Sequence, residues 1–77
     1  MPSQKPELCQ YRKRLGKNVA LLRAQRHLTQ EELAEKTGVS SRYMQSIEAG
    51  EYFPSLPTLI RLRSQLKCDW NNLFARL

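Results

Sequence analysis

Cysteine and histidine are scarce in this sequence, and their positions argue against a metal site or a disulfide scaffold. The 77 residues hold two cysteines, Cys9 and Cys68, and a single histidine, His27. Zinc sites draw their ligands from closely spaced cysteines and histidines, which this scattered trio does not offer. We therefore expect no metal, no cofactor and two free thiols in a reducing compartment.

Long apolar runs are absent as well. No stretch approaches the roughly 18 apolar residues that a membrane span needs, and residues 1–6 lack the apolar segment of a signal peptide. The expectation is a cytoplasmic protein with no membrane partner. A chain of 77 residues has room for one small core, which leaves little material for a catalytic cleft.

Acidic residues are few, seven against 13 basic ones, for a net charge of +6. The excess lies in residues 1–28, where seven basic residues face one acidic residue, while the rest of the chain has six of each sign. Such an excess suits a polyanionic partner. A solvated basic surface that only aids solubility would have the same composition, so charge alone does not decide.

Glycine is also scarce, with three residues, and two of them mark the ends of predicted helices. Thr29 and Glu32 form a capping box that starts one short helix. Gly38 is placed to end that helix in the left-handed conformation. Ser40 caps a second helix, which ends at Gly50. Two short helices joined by a tight turn form a helix-turn-helix unit.

The second of these helices has one buried and one exposed face. Met44 and Ile47 are three positions apart on one face and are expected in the core with Leu33 and Val39. The opposite face carries short polar groups and one long cation, namely Ser41, Arg42, Gln45 and Ser46. Side chains of this kind can enter the major groove of DNA and hydrogen-bond base edges.

A longer helix is predicted before the helix-turn-helix unit. Residues 1–7, which include two prolines, are expected to form a flexible arm. The helix then covers residues 8–26, with an apolar stripe that includes Leu15 and Val19. Gly16 lowers the helix propensity there, which a close contact with another helix would explain.

Two further helices are predicted after the unit. Ser55 caps a fourth helix. Its apolar residues are all expected in the core: Leu56, Leu59, Ile60, Leu62 and Leu66. Asp69 caps a last helix over residues 70–76, whose periodicity places Trp70 and Leu73 in the core.

The helix-turn-helix unit and its flanks resemble the family of phage lambda Cro and lambda-type repressors, often called the XRE family. The resemblance covers roughly residues 11–74. It is carried by Arg23 and by four runs, TQEELA at 29–34, GVS at 38–40, IEAG at 47–50 and PSL at 54–56. The resemblance implies an all-α fold, a compact five-helix lambda-repressor-like DNA-binding domain over residues 8–77. It also implies a structural ion pair between Arg23 and Glu48.

The function that the resemblance implies is sequence-specific binding of double-stranded DNA by a transcriptional regulator, in the first place a repressor. The protein would bind a pseudo-palindromic operator as a homodimer. The base-reading residues would be Ser41, Arg42, Gln45 and Ser46, and the phosphate-binding residues Gln30, Ser40 and Tyr43. Gln30 is also expected to brace Arg42. Surplus apolar groups at the chain end, Phe74 and Leu77, are the candidate dimer contact.

Two alternatives stay open. A restriction-modification controller or an antitoxin of the same fold differs by its genomic neighbours, which the sequence does not contain. A protein-interaction module that has lost DNA binding is favoured by Ala49 and Glu51, which stand where family members often carry phosphate-contacting side chains. Arg42, Gln30 and the net charge of +6 oppose that reading. We expect no enzyme, because no acid–base or nucleophile constellation is present, and no small-molecule ligand, because the sequence shows no effector domain.

Overall fold

The computed structural model describes the backbone of residues 6–77 and the side chains of residues 8–77. Its helices are α1 Pro6–Gln25, α2 Gln30–Thr37, α3 Ser41–Glu48, α4 Leu56–Leu66 and α5 Trp70–Leu73. The prediction of an all-α five-helix fold is confirmed. Residues 6 and 7 of the predicted arm belong to α1, and residues 1–5 lie outside the described part of the chain.

All five helices contribute to one apolar core. α1 packs on α3, α4 and α5, while α2 packs on α3 and α4. The buried apolar side chains are Leu15, Val19, Leu33, Ala34, Met44, Ile47, Leu59, Leu62, Leu66 and Leu73. Val39, in the turn between α2 and α3, is partly buried against this cluster. The burial of the predicted residues of the helix-turn-helix unit follows their spacing.

The first four helices end in the same way. Each is followed by a residue in the left-handed conformation: His27 at φ 58°, Gly38 at φ 82°, Gly50 at φ 81° and Lys67 at φ 51°. At the second of these ends, Val39 N–H donates to Ala34 O at 3.0 Å. Equivalent bonds close the other three ends, which makes all four Schellman motifs. His27 and Lys67 adopt the left-handed region at a steric cost that glycine avoids.

Gly16 permits a close approach between α1 and the end of α3, as its position inside a helix indicates. A β carbon at this position would lie 2.6 Å from the carbonyl oxygens of both Ile47 and Glu48. Backbone atoms cannot move aside as a flexible side chain can. Any larger residue would therefore push α3 away from α1.

The apolar stripe of α4 is wider than the core that it faces. Leu59, Leu62 and Leu66 are buried, but Leu56 and Ile60 are 65% and 47% exposed. The prediction that all five side chains enter the core was wrong. Leu56 and Ile60 are four positions apart and therefore share one face of α4. That face lies beside the face of Leu59, Leu62 and Leu66, and only the latter packs into the core.

Trp70 was also expected in the core, and it is not buried. It is 37% exposed, and only Leu73 of α5 is fully buried. The indole ring stacks on Phe74, with the centroids 5.4 Å apart. The Trp70 ring also contacts Arg63, whose guanidinium carbon lies 5.1 Å from the centre of the ring. A helix of one turn offers the core one side chain, and Trp70 instead covers a cation at the surface.

Helix α5 ends at Leu73, earlier than the predicted residue 76. Asn18 of α1 donates from Nδ2 to the carbonyl oxygens of Leu73 and Ala75, both at 2.9 Å. A continuing helix would bond Leu77 N–H to Leu73 O, but this N–H donates to Phe74 O at 3.0 Å. A side chain from α1 therefore takes over the carbonyl that the next helical turn would use.

Cys9 and Cys68 are half-buried thiols that no disulfide joins. Burial raises the pKa of the Cys68 thiol, and the Asp69 carboxylate adds to that rise. Among the described residues, no group of three or more histidine, cysteine or acidic side chains is arranged to hold a metal ion. Within the same part of the chain, no helix combines the length and apolar character of a membrane span.

Candidate nucleic-acid interface

A polar cleft runs along the outward face of α3. Arg42, Gln45 and Ser46 line it together with Ala49 and Glu51, around a volume of about 330 Å³. Arg42 and Gln45 are exposed and Ser46 is half-buried. The structure therefore brings three of the four predicted base-reading side chains into one depression.

The fourth predicted base reader, Ser41, is half-buried in the first turn of α3 and does not line the cleft. Just before it, Ser40 caps the helix, and its Oγ accepts a hydrogen bond from Tyr43 N–H at 3.0 Å. The Tyr43 ring is half-buried against the core, and its centroid lies 6.1 Å from that of Tyr52. The hydroxyl hydrogen of Ser40 stays available to a phosphate acceptor.

A hydrogen-bonded ion pair fastens α3 to α1. Arg23 Nε donates to Glu48 Oε2 at 2.8 Å and Arg23 Nη2 donates to Oε1 at 3.1 Å. Arg23 Nη1 also donates to the carbonyl oxygen of Leu28 at 2.8 Å. The Glu48 side chain is 5% exposed and that of Arg23 is 20% exposed. The expected ion pair is thus present, with the paired, fork-shaped geometry that makes such contacts strong.

Gln30 belongs to the same network. Its Nε2 donates to Glu48 Oε1 at 2.9 Å, which ties the start of α2 to the end of α3. No hydrogen bond joins Gln30 to Arg42 among the described residues, so the expected bracing of Arg42 is not seen there. A guanidinium only donates, so Gln30 could hold Arg42 only through its carbonyl oxygen, which the bond from Nε2 to Glu48 leaves unused. One amide hydrogen of Gln30 remains for another acceptor.

The electrostatic character of the α3 face is mixed. Arg42 supplies one cation, while the acidic Glu51 lines the same cleft. Among the described residues, Arg23 and Glu48 form the one salt bridge, so Arg42 is not neutralised by an ion pair there. Its guanidinium is free to meet an external acceptor.

The candidate dimer residues lie at the end of the chain. Phe74 is half-buried and stacked on Trp70, and Leu77 is 38% exposed. Sequence reasoning missed the exposure of Leu56 and Ile60, since periodicity marks a residue as apolar without saying whether a neighbour covers it. It also located the basic excess only to residues 1–28, whereas the structure places Lys13 against Gly50 at the end of α3.

Comparison with known proteins supports the likeness in both sequence and structure. Residues 19–73 match the family HTH_3, described as helix-turn-helix. The chain is 39% identical over 61 residues to the ImmF control region 10 kDa protein of Bacillus phage phi105, which covers 79% of this chain and 68% of that protein. It is 42% identical over 55 residues to the uncharacterized HTH-type transcriptional regulator y4dJ of Sinorhizobium fredii, 71% of each. A similar solved structure is the restriction-modification controller protein C.AhdI from Aeromonas hydrophila, with a TM-score of 0.78 and 27% identity over 91% of this chain and 100% of that one.

Proposed function

Because this chain belongs to the helix-turn-helix family HTH_3, we propose that it regulates transcription by occupying a specific DNA site, and does so as a repressor. The site is a pseudo-palindromic operator, and the bound form is a homodimer with one recognition helix in each half-site. Occupancy requires no catalytic step. The protein works in the cytoplasm, the compartment that holds the DNA.

The observation that carries this proposal is the polar face of α3 on a rigid support. Arg42 and Gln45 are exposed, whereas Met44 and Ile47 on the opposite side of the same helix are completely buried. The Arg23–Glu48 pair holds the C-terminal end of the helix. Base reading requires side chains held in place by their scaffold, and this helix meets that requirement.

Within the proposed interface, α3 reads bases. The guanidinium of Arg42 matches the O6 and N7 acceptors of guanine, and the amide of Gln45 matches the N6 and N7 groups of adenine. The hydroxyl groups of Ser41 and Ser46 suit either base type. These contacts supply specificity, because base edges differ and phosphates do not.

Phosphate binding is assigned to the helix starts. Gln30 and Ser40 stand at the beginnings of α2 and α3, where backbone N–H groups and the helix dipole favour an anion. Tyr43 lies in the first turn of α3 and offers a hydroxyl group. One amide hydrogen of Gln30 would donate to a phosphate while the other keeps its hydrogen bond to Glu48. Binding to the DNA backbone would therefore be connected to the ion pair between α1 and α3.

The dimer contact is assigned to Phe74 and Leu77. Trp70, which is 37% exposed and stacks on Phe74, adds a second aromatic ring to that surface. Exposed apolar surface of this kind is typical of a two-fold contact.

Sedimentation at micromolar concentration tests the dimer. The wild type should dimerise, at least on DNA with two half-sites about 34 Å apart, and Phe74→Ser should weaken the assembly. Leu56→Ser is the matched control, because Leu56 is 65% exposed at the start of α4 and belongs to no proposed contact. A wild type that binds such DNA only as a monomer would exclude the dimer.

A restriction-modification controller is the second candidate. Similarity to C.AhdI over the whole length of that protein favours it. The two candidates share the DNA interface and differ in the genes that they control. The protein-interaction module has less support, since Glu51 weakens phosphate binding at one corner and does not close the cleft around Arg42.

Selection of genomic fragments with the purified protein, followed by binding to single-base variants of the selected site, tests the function. Arg42→Ala should cost about 1–3 kcal/mol on the best site and abolish the preference at one base pair per half-site. Gln30→Ala should weaken binding to all sequences by similar factors. Arg61→Ala on α4 is the control for the loss of one positive charge. If Arg42→Ala retains the wild-type ranking at every position, the base-reading role is excluded. If the wild type prefers no sequence, the proposed function is excluded.

A further inference from the structure

A basic part of α1 lies beside the C-terminal end of α3. A β carbon on Gly50 would meet Lys13 Cγ at 2.8 Å, so the lysine stem runs along this glycine. The neighbours of Gly50 in sequence, Ala49 and Glu51, line the cleft on the outward face of α3. Lys13 therefore borders the proposed DNA interface, although it comes from a different helix.

From Lys13 a series of cations continues along α1 and on to Arg76. One cleft of about 190 Å³ is lined by Gln10, Lys13, Arg14 and Lys17. A second cleft shares Arg14 and Lys17 and extends to Arg76 near the chain end. We call Lys13, Arg14, Lys17 and Arg76 the α1 strip. All four are exposed, no acidic residue lines either cleft, and none of the four forms a salt bridge with the described residues.

We propose that the α1 strip binds backbone phosphates of the same DNA duplex, beside the segment that α3 reads. This inference rests on the proposed function and adds a second contact surface to it. The corner just after α3 carries Ala49 and Glu51, and a carboxylate there repels phosphate. Lys13 brings a cation to that corner from α1, and the rest of the strip extends the positive surface.

The position of the cations distinguishes this proposal from a general aid to solubility. Residues 29–77 are balanced in charge, so the net charge of +6 arises from residues 1–28. A solubility role would work equally well anywhere on the surface. A role in DNA binding requires the cations to adjoin the recognition helix, and the contacts at Gly16 and Gly50 bring α1 to that place.

The experiment compares two triple variants with the same change in charge. In the strip variant, Lys13, Arg14 and Lys17 are each replaced by Gln, which retains the methylene groups that contact Gly50. In the control variant, the exposed residues Lys36, Arg61 and Lys67 are replaced by Gln. Thermal melting verifies that both fold. Binding of each protein to duplex DNA is then measured at several salt concentrations.

The slope of log K against log salt should be shallower by about 2.7 in the strip variant, because each of the three lost phosphate contacts contributes about 0.9 to that slope. From about 50 to about 200 mM salt, the wild type should then lose about 40-fold more affinity than the strip variant. The control variant should retain the wild-type slope. An unchanged slope in the strip variant, or an equal fall in both variants, overturns the proposal.

Failure of the strip and failure of the proposed function give different results. If Arg42→Ala removes base preference while the strip variant retains the wild-type slope, the proposed function stands and the strip is excluded. If the wild type has no sequence preference, yet only the strip variant loses salt dependence on arbitrary duplex DNA, the strip stands and sequence-specific regulation is excluded.

Discussion

Glu48→Ala is expected to lower the free energy of unfolding by about 3 kcal/mol. The carboxylate accepts hydrogen bonds from Arg23 Nε, Arg23 Nη2 and Gln30 Nε2 at 2.8, 3.1 and 2.9 Å. Removing one partner of a buried ion pair costs about 3–5 kcal/mol, because the other charge is left uncompensated. Arg23 is 20% exposed, so water recovers part of its solvation, and we expect the lower end of that range.

Thermal and urea unfolding would measure the loss. In a domain of this size, 1 kcal/mol corresponds to about 4–8 °C, so the melting temperature should fall by about 12–24 °C. Glu35→Ala is the matched control, since Glu35 is exposed on α2. A substitution at such a surface position should change the free energy of unfolding by no more than about 0.5 kcal/mol.

A double variant separates the cost of the uncompensated charge from the loss of the ion pair itself. Replacing both Arg23 and Glu48 by Leu removes the uncompensated charge, so it should restore most of the stability that Glu48→Ala loses. A melting temperature for Glu48→Ala within about 4 °C of the wild type, which is about 1 kcal/mol, would refute the reasoning. It would mean that water solvates the Arg23 guanidinium well enough without its partner.

Three further substitutions test the fold. Gly16→Ala should destabilise by about 1–3 kcal/mol in urea unfolding, because its β carbon would meet backbone oxygens at 2.6 Å. Helix propensity alone predicts a gain of about 1 kcal/mol, so a stabilised variant would contradict the close contact. His27→Gly should raise the melting temperature by a few degrees by relieving a left-handed residue, whereas Ala24→Gly in the last turn of α1 should lower it. Asn18→Ala and Asn18→Asp should both lose about 1–2 kcal/mol, because neither can donate to the two carbonyl groups at the end of α5; retained stability in the Asp variant would mean that the donors are unimportant.

Local chemistry made the helix-turn-helix unit predictable from sequence. The capping box at Thr29 joins residues only three positions apart, and Gly38 ends α2 by its own left-handed conformation. The buried and exposed faces of α3 follow from the helical period, so the spacing of its residues is enough to assign Arg42 and Gln45 to the outward face. The ion pair between Arg23 and Glu48 was predicted from the resemblance to a family, because periodicity does not identify such a pair.

Only the tertiary structure decided what depends on distant contacts. Apolar periodicity does not say which apolar face another helix covers, so Ile60 and Trp70 were wrongly placed in the core. The end of α5 depends on Asn18, a side chain 55 positions away from Leu73. Likewise, Lys13 becomes part of a surface beside α3 only because α1 and α3 approach closely at Gly16. Residues near in sequence determined the caps, turns and helix faces of this protein, whereas packing between helices determined which groups meet, because such contacts are set by the whole arrangement of the chain.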